Sequence, residues 1–161
     1  RPSLLIISFS AIASDARVLK QVRLFRDHFD VVTCGYGEAP DGVAEHLRIP
    51  DGVPSRQRSP ILIRLRLYRW VYRRIEAVRT ARRLLAGRSF DIALANEYET
   101  VPIALRVAKR GVHADLHEYS PRLHEEVPVW RTVVRRAHVV REPAMRAAIV
   151  PAPDRVLLVR R

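Results

Sequence analysis

The chain is predicted to form one open α/β domain: a mostly parallel sheet with helices on both faces. Short β-rich apolar runs alternate along it with segments of helical periodicity, the pattern of strands joined by crossover helices. Ser3 to Phe9 is apolar on both strand faces, as a strand covered on each side by helices must be. The 161 residues, 48% of them apolar, suit a single domain large enough to bury roughly two-thirds of its unfolded surface.

After that first strand, Ser14 or Asp15 caps a helix in which Val18, Leu19, Val22 and Phe25 recur at helical spacing, ending near His28. Phe29 to Cys34 is a second strand, stopped by Gly35-Tyr36-Gly37. Glu38 to Pro60, rich in proline, glycine and aspartate, reads as a long surface loop holding one short strand around His46 to Ile49. A long helix is predicted from about Pro60 to Ala86, closed by Gly87. Phe90 to Ala95 is the next strand. Thr100 then caps a helix with Pro102 in its first turn and Gly111 at its end, and Val112 to His117 is a strand. Trp130 to Ile149 has patchy helical character interrupted by Pro143, and Asp154 to Val159 reads as a last strand.

Composition narrows the partners. The formal charge of +12 favours anionic ones, such as phosphorylated substrates, lipid headgroups or nucleic acid. Only Lys20 and Lys109 among the 29 basic residues are lysines, a bias that GC-rich codon usage also produces. The single cysteine, Cys34, excludes a disulfide framework and fits a reducing, cytoplasmic compartment. No signal peptide is expected at Arg1, and the longest apolar runs fall short of the ~20 residues that span a bilayer.

In an open sheet of this class ligands bind outside the carboxyl ends of the strands, so the candidate loops are Ser8 to Asp15, Asn96 to Thr100 and His117 to Pro121. His113, Asp115 and His117 share one strand face, so Asp115 can orient His117 from below. The alternative is that His117 is a satisfied polar residue at a strand end. A metal site on these three residues is not expected, because His113 and His117 stand about 13 Å apart at ~3.3 Å per residue. Ser8 to Ser14 contains no glycine and is neither a dinucleotide fingerprint nor a P-loop, although a helix amino terminus after it can still receive an anion. Asp15 reads either as a site residue or as a simple helix cap. Arg17 is a cation in the first helical turn, against the helix dipole.

Three short motifs, Ser14-Asp15-Ala16-Arg17-Val18-Leu19, Ala95-Asn96-Glu97-Tyr98-Glu99-Thr100 and Asp115-Leu116-His117-Glu118-Tyr119-Ser120-Pro121, occur in this order and spacing. Together they resemble the amino-terminal domain of a family 4 glycosyltransferase of the two-domain GT-B type, over the stretch from Leu4 to about Val159. The resemblance implies a Rossmann-like acceptor-side domain of a retaining enzyme that transfers a sugar from a nucleotide-sugar donor to an acceptor, lipid- or glycan-linked. His117 would face the cleft as the catalytic residue, Asn96, Glu97 and Glu118 would line it, and Asp15 and Arg17 would shape its acceptor or phosphate edge. No metal or other cofactor is implied. Most donor contacts would belong to a second, carboxyl-terminal domain outside this chain, so the chain alone is expected to be inactive. Glu118 and Glu126 have the spacing of the paired glutamates of that second domain, a coincidence of position here.

The predicted long helix carries the charge cluster. Between Arg66 and Val78, Leu67, Tyr68, Val71, Tyr72, Ile75 and Val78 fall on one side and Arg66, Arg69, Arg73 and Glu76 on the other; at both ends the pattern blurs, as Arg64, Arg79 and Arg82 fall on the apolar side. A solvated helix face explains this stripe, and so does a membrane-facing surface of Arg66, Arg69, Trp70 and Arg73 on an anionic leaflet. The latter makes the chain peripheral at the inner face of the membrane. It also supplies the rival to the enzyme: a non-catalytic basic α/β module docking on anionic membrane or another macromolecule. No zinc-finger, homeodomain or aromatic-stacking motif accompanies the arginines, which speaks against nucleic acid.

Overall fold

The computed structural model describes residues 1–55, 68–115 and 156–159. The strands are β1 (Ser3–Ala11), β2 (Asp30–Tyr36), β3 (Glu45–Arg48), β4 (Phe90–Ala95), β5 (Ala108–Asp115) and β6 (Val156–Val159). A 3-10 turn over Ile12–Ser14 precedes α1 (Ala16–Phe25); the other helices are α2 (Tyr68–Arg74), α3 (Glu76–Leu84) and α4 (Val101–Val107).

All six strands form one parallel sheet in the order β3-β2-β1-β4-β5-β6. This is the doubly wound, Rossmann-like arrangement the alternating pattern predicted. Successive residues of a strand point to opposite faces, and β1 displays the consequence. Leu4 and Ile6 pack with Val18 and Val22 of α1 on one face, whereas Leu5 and Ile7 pack with Ile75, Ala77, Val78 and Ala81 on the other. The chain winds outward through β2 and β3, then crosses back to β4 on the far side of β1, so the switch in winding direction lies between β1 and β4.

The predicted long helix is divided in two over its described part, and its first residues, 60–67, lie outside the described residues. Ile75 is extended (φ −62°, ψ 117°) and divides α2 from α3. The break rephases the two segments: α2 turns Val71 and Tyr72 inward and α3 turns Ala77, Val78 and Ala81 inward, with Ile75 buried at the joint. A continuous helix would have carried the inward stripe of α2 on through Arg79 and Arg82, and burying unpaired guanidiniums is costly. The break leaves Arg79 exposed and Arg82 half-buried. Gly87, at φ +73°, ends this segment in the left-handed conformation that glycine adopts without strain.

Two further expectations shift. Gly111 does not cap a helix; α4 ends at Val107 and Gly111 pairs with Ile92 inside β5, next to a register irregularity in the β4–β5 ladder. Gly35 does not end β2 but lies within it; a Cβ there would overlap the Ser8 carbonyl and sit 2.6 Å from the Ile12 side chain. Glycine at 35 therefore lets β2 pack closely under the end of β1, beside the switch point.

Candidate functional site

The carboxyl ends of β1 and β4 meet at the switch point, where an open α/β sheet forms its ligand crevice. The β1–β2 ladder loses register between Ile7 and Ala11. An irregularity of this kind frees backbone groups and re-aims side chains, and here the Phe9 N–H donates to Glu97 Oε2 at 3.0 Å. The Ser8 hydroxyl donates to Glu97 Oε1 at 2.7 Å and lies 2.8 Å from the Ser10 hydroxyl. Burial pushes the Glu97 carboxyl up to about 7; the hydrogen bonds from Ser8 and Phe9 and the charge of Arg17 work against the rise. A carboxyl so placed can hold or accept a proton near neutral pH.

Asp15 caps α1 by accepting the Arg17 N–H at 3.0 Å, and the same carboxylate binds the Arg17 guanidinium at 3.0 and 3.3 Å. The two readings of Asp15, cap and site residue, thus describe one geometry. Burial raises the Asp15 pKa, but the Arg17 and Ser10 hydrogen bonds outweigh it and leave the carboxyl below its ordinary value. Arg17 is stable in the first turn because Asp15 neutralises it locally, and Glu97 and Asp115 add to the favourable potential.

One turn further along α1, Gln21 exchanges hydrogen bonds with Asn96: its Nε2 donates to Asn96 Oδ1 at 2.8 Å, and Asn96 Nδ2 donates to its Oε1 at 3.1 Å. Gln21 Nε2 also reaches Asp115 Oδ2 at 3.3 Å. Asn96 is 2% exposed, so it braces the crevice from beneath more than it lines it. Thr100 closes the β4 loop by donating to the Glu97 carbonyl at 2.7 Å.

The structure thus gathers Asp15, Arg17, Asn96 and Glu97 at the ends of β1 and β4, with Asp115 of β5 joined through Gln21. His117 and Glu118 follow Asp115 in sequence and lie outside the described residues, as does Arg66. Arg69, Trp70 and Arg73 sit apart from this cluster on α2, and all three are exposed, Trp70 by 57%. Gln21 was not singled out by sequence reasoning; its position one turn after Arg17 was the available signal.

Among the described residues no group of three His, Cys, Asp or Glu side chains is placed to hold a metal ion, and no helix is long and apolar enough to cross a membrane. No protein-family model and no curated protein matches the chain.

Proposed function

We propose that the chain is the acceptor-side domain of a retaining glycosyltransferase of the GT-B type, which uses a nucleotide-sugar donor. The observation that carries the reading is the polar cluster at the switch point: a carboxyl near neutral pKa, Glu97, beside the Asp15–Arg17 pair and under a glycine-free β1 loop. In this reading Glu97 holds the β1 loop in shape and offers a proton-exchanging group to an acceptor hydroxyl. Arg17 faces phosphate, and the resemblance assigns the reacting sugar to His117, two residues after Asp115 in sequence. Motif order from Asp15 to Pro121 supports the assignment.

The donor half of such an enzyme is a second domain, so the chain alone should bind nucleotide sugars no tighter than the millimolar range, about −4 kcal/mol, and transfer no sugar. Calorimetry with a panel of nucleotide sugars tests this. Micromolar binding that Asn96→Ala abolishes would mean that the donor site lies at the switch point of this domain and that the assignment of halves is wrong.

A second reading rests on Trp70, which is 57% exposed between exposed Arg69 and Arg73 on α2. An aromatic ring flanked by guanidiniums suits the headgroup region of an anionic leaflet. On this reading the domain sits at the membrane surface, either as the enzyme approaching a lipid-linked acceptor or as a docking module without catalysis.

A further inference from the structure

A second concentration of charge lies at the opposite, amino-terminal end of the strands. Because α3 leads into β4 and α4 into β5, the carboxyl ends of two helices meet at the amino ends of those strands. An open cleft of about 680 Å³ lies there, lined by Arg79, Arg82, Arg83, Arg88 and Arg106 and, among the described residues, by no acidic one. Leu85, Ile103 and Val107 supply apolar wall. Arg88 is held by Glu45 in a bidentate pair at 2.6 and 2.8 Å. The other four guanidiniums have no carboxylate within ion-pair distance among the described residues.

That arrangement opposes the protein's own stability. Arg79, Arg82 and Arg83 stand three and four residues apart on α3, where like charges repel. A helix dipole welcomes a cation in its last turn, which accounts for Arg82 or Arg83 on α3 and for Arg106 on α4. It does not account for four guanidiniums around one cleft with no carboxylate partner among the described residues. A ligand carrying several negative charges would offset the repulsion, and the guanidinium fork matches phosphate oxygens two at a time. The volume falls within the roughly 300–1,000 Å³ of small-molecule sites.

We infer that this cleft binds a small oligophosphate, a soluble ligand with two or more phosphate groups, gripped by arginines from both α3 and α4. The site is separate from the switch-point cluster, and its existence does not depend on glycosyl transfer.

The test is calorimetric titration of the chain with inorganic triphosphate and, in parallel, with orthophosphate. Two double variants are compared, Arg82→Gln/Arg106→Gln in the cleft and Lys20→Gln/Arg23→Gln on α1. The second pair removes the same charge and, like the first, takes a cation from a helix's last turn. The expected result is one-to-one saturable triphosphate binding, at least ~10-fold tighter than orthophosphate, weakened ~10-fold or more in the cleft variant and by less than ~3-fold in the α1 variant. Arg79→Gln/Arg83→Gln replaces the cleft variant if that one loses its thermal unfolding transition. Equal weakening in both variants, absence of saturation, or absence of binding would overturn the inference. So would loss of phosphatidylglycerol-vesicle binding in the cleft variant with triphosphate binding intact, which would make the ligand a lipid headgroup.

Discussion

The Ser8 hydroxyl and the Glu97 carboxylate meet at 2.7 Å and join the ends of β1 and β4 where the winding of the sheet reverses. Residues 89 positions apart in sequence thereby fix the shape of the crevice. Burial and hydrogen bonding pull the Glu97 carboxyl in opposite directions, and burial wins.

That balance has a pH signature. Glu97 titrates at about 7 in the folded chain against an ordinary 4.5. Between these values the unfolded chain has released the proton and the folded chain retains it, so this group makes stability fall as pH rises through the window and leaves it level above. Glu97→Gln removes the dependence. Relative to wild type the variant should gain about 3 kcal/mol between pH 4 and pH 8, at 1.36 kcal/mol per pKa unit. Denaturant unfolding across that range measures the difference, and a pH-independent gap would contradict the burial of this carboxyl.

The Gln21–Asn96 pair predicts a coupling. Asn96 is buried, and its side-chain oxygen and nitrogen are both engaged by the Gln21 amide. Gln21→Ala leaves those groups unsatisfied at a cost of about 1–3 kcal/mol. Since each single change disrupts the same pair, a double-mutant cycle with Asn96→Ala should return a coupling of about 1 kcal/mol. Additive losses in urea unfolding would mean that the two amides do not support one another.

For the membrane reading, Arg69 and Arg73 should each contribute about 1 kcal/mol of attraction to an anionic leaflet, so Arg69→Gln/Arg73→Gln should weaken vesicle binding roughly 30-fold at low salt. Binding should also fade as salt rises, because the Debye length shrinks to about 8 Å at physiological ionic strength. Sedimentation with phosphatidylglycerol vesicles, with neutral vesicles as control, reads both effects. Equal binding of wild type and variant would remove the membrane from the account.

Much of this architecture was legible because its signals are local. The apolar runs that became β1 and β4, the Asp15 cap and Gly87 each depend on a few neighbouring residues. What escaped depends on distant ones. The break at Ile75 arises from the need to turn Ala77 and Ala81 inward while Arg79 stays out, a demand set by the sheet beneath. Gly35 resembles a strand terminator until Ser8 and Ile12 are seen pressing on it. At the crevice, strand-end logic pointed to Asp15, Asn96 and Glu97, and the family resemblance to Arg17. Neither could anticipate Gln21, whose partners are 75 and 94 residues away.

On the proposed function, the switch-point cluster is the crevice where a nucleotide sugar meets its acceptor. The most direct test is an amide-resolved NMR titration of the chain with nucleotide sugars up to several times a millimolar dissociation constant, repeated on Asn96→Ala. Weak, saturable shifts centred on Phe9, Arg17, Asn96 and Glu97 are expected, diminished in the variant. Shifts confined to the arginine cleft between α3 and α4, or none at the ends of β1 and β4 at saturating ligand, would contradict this function.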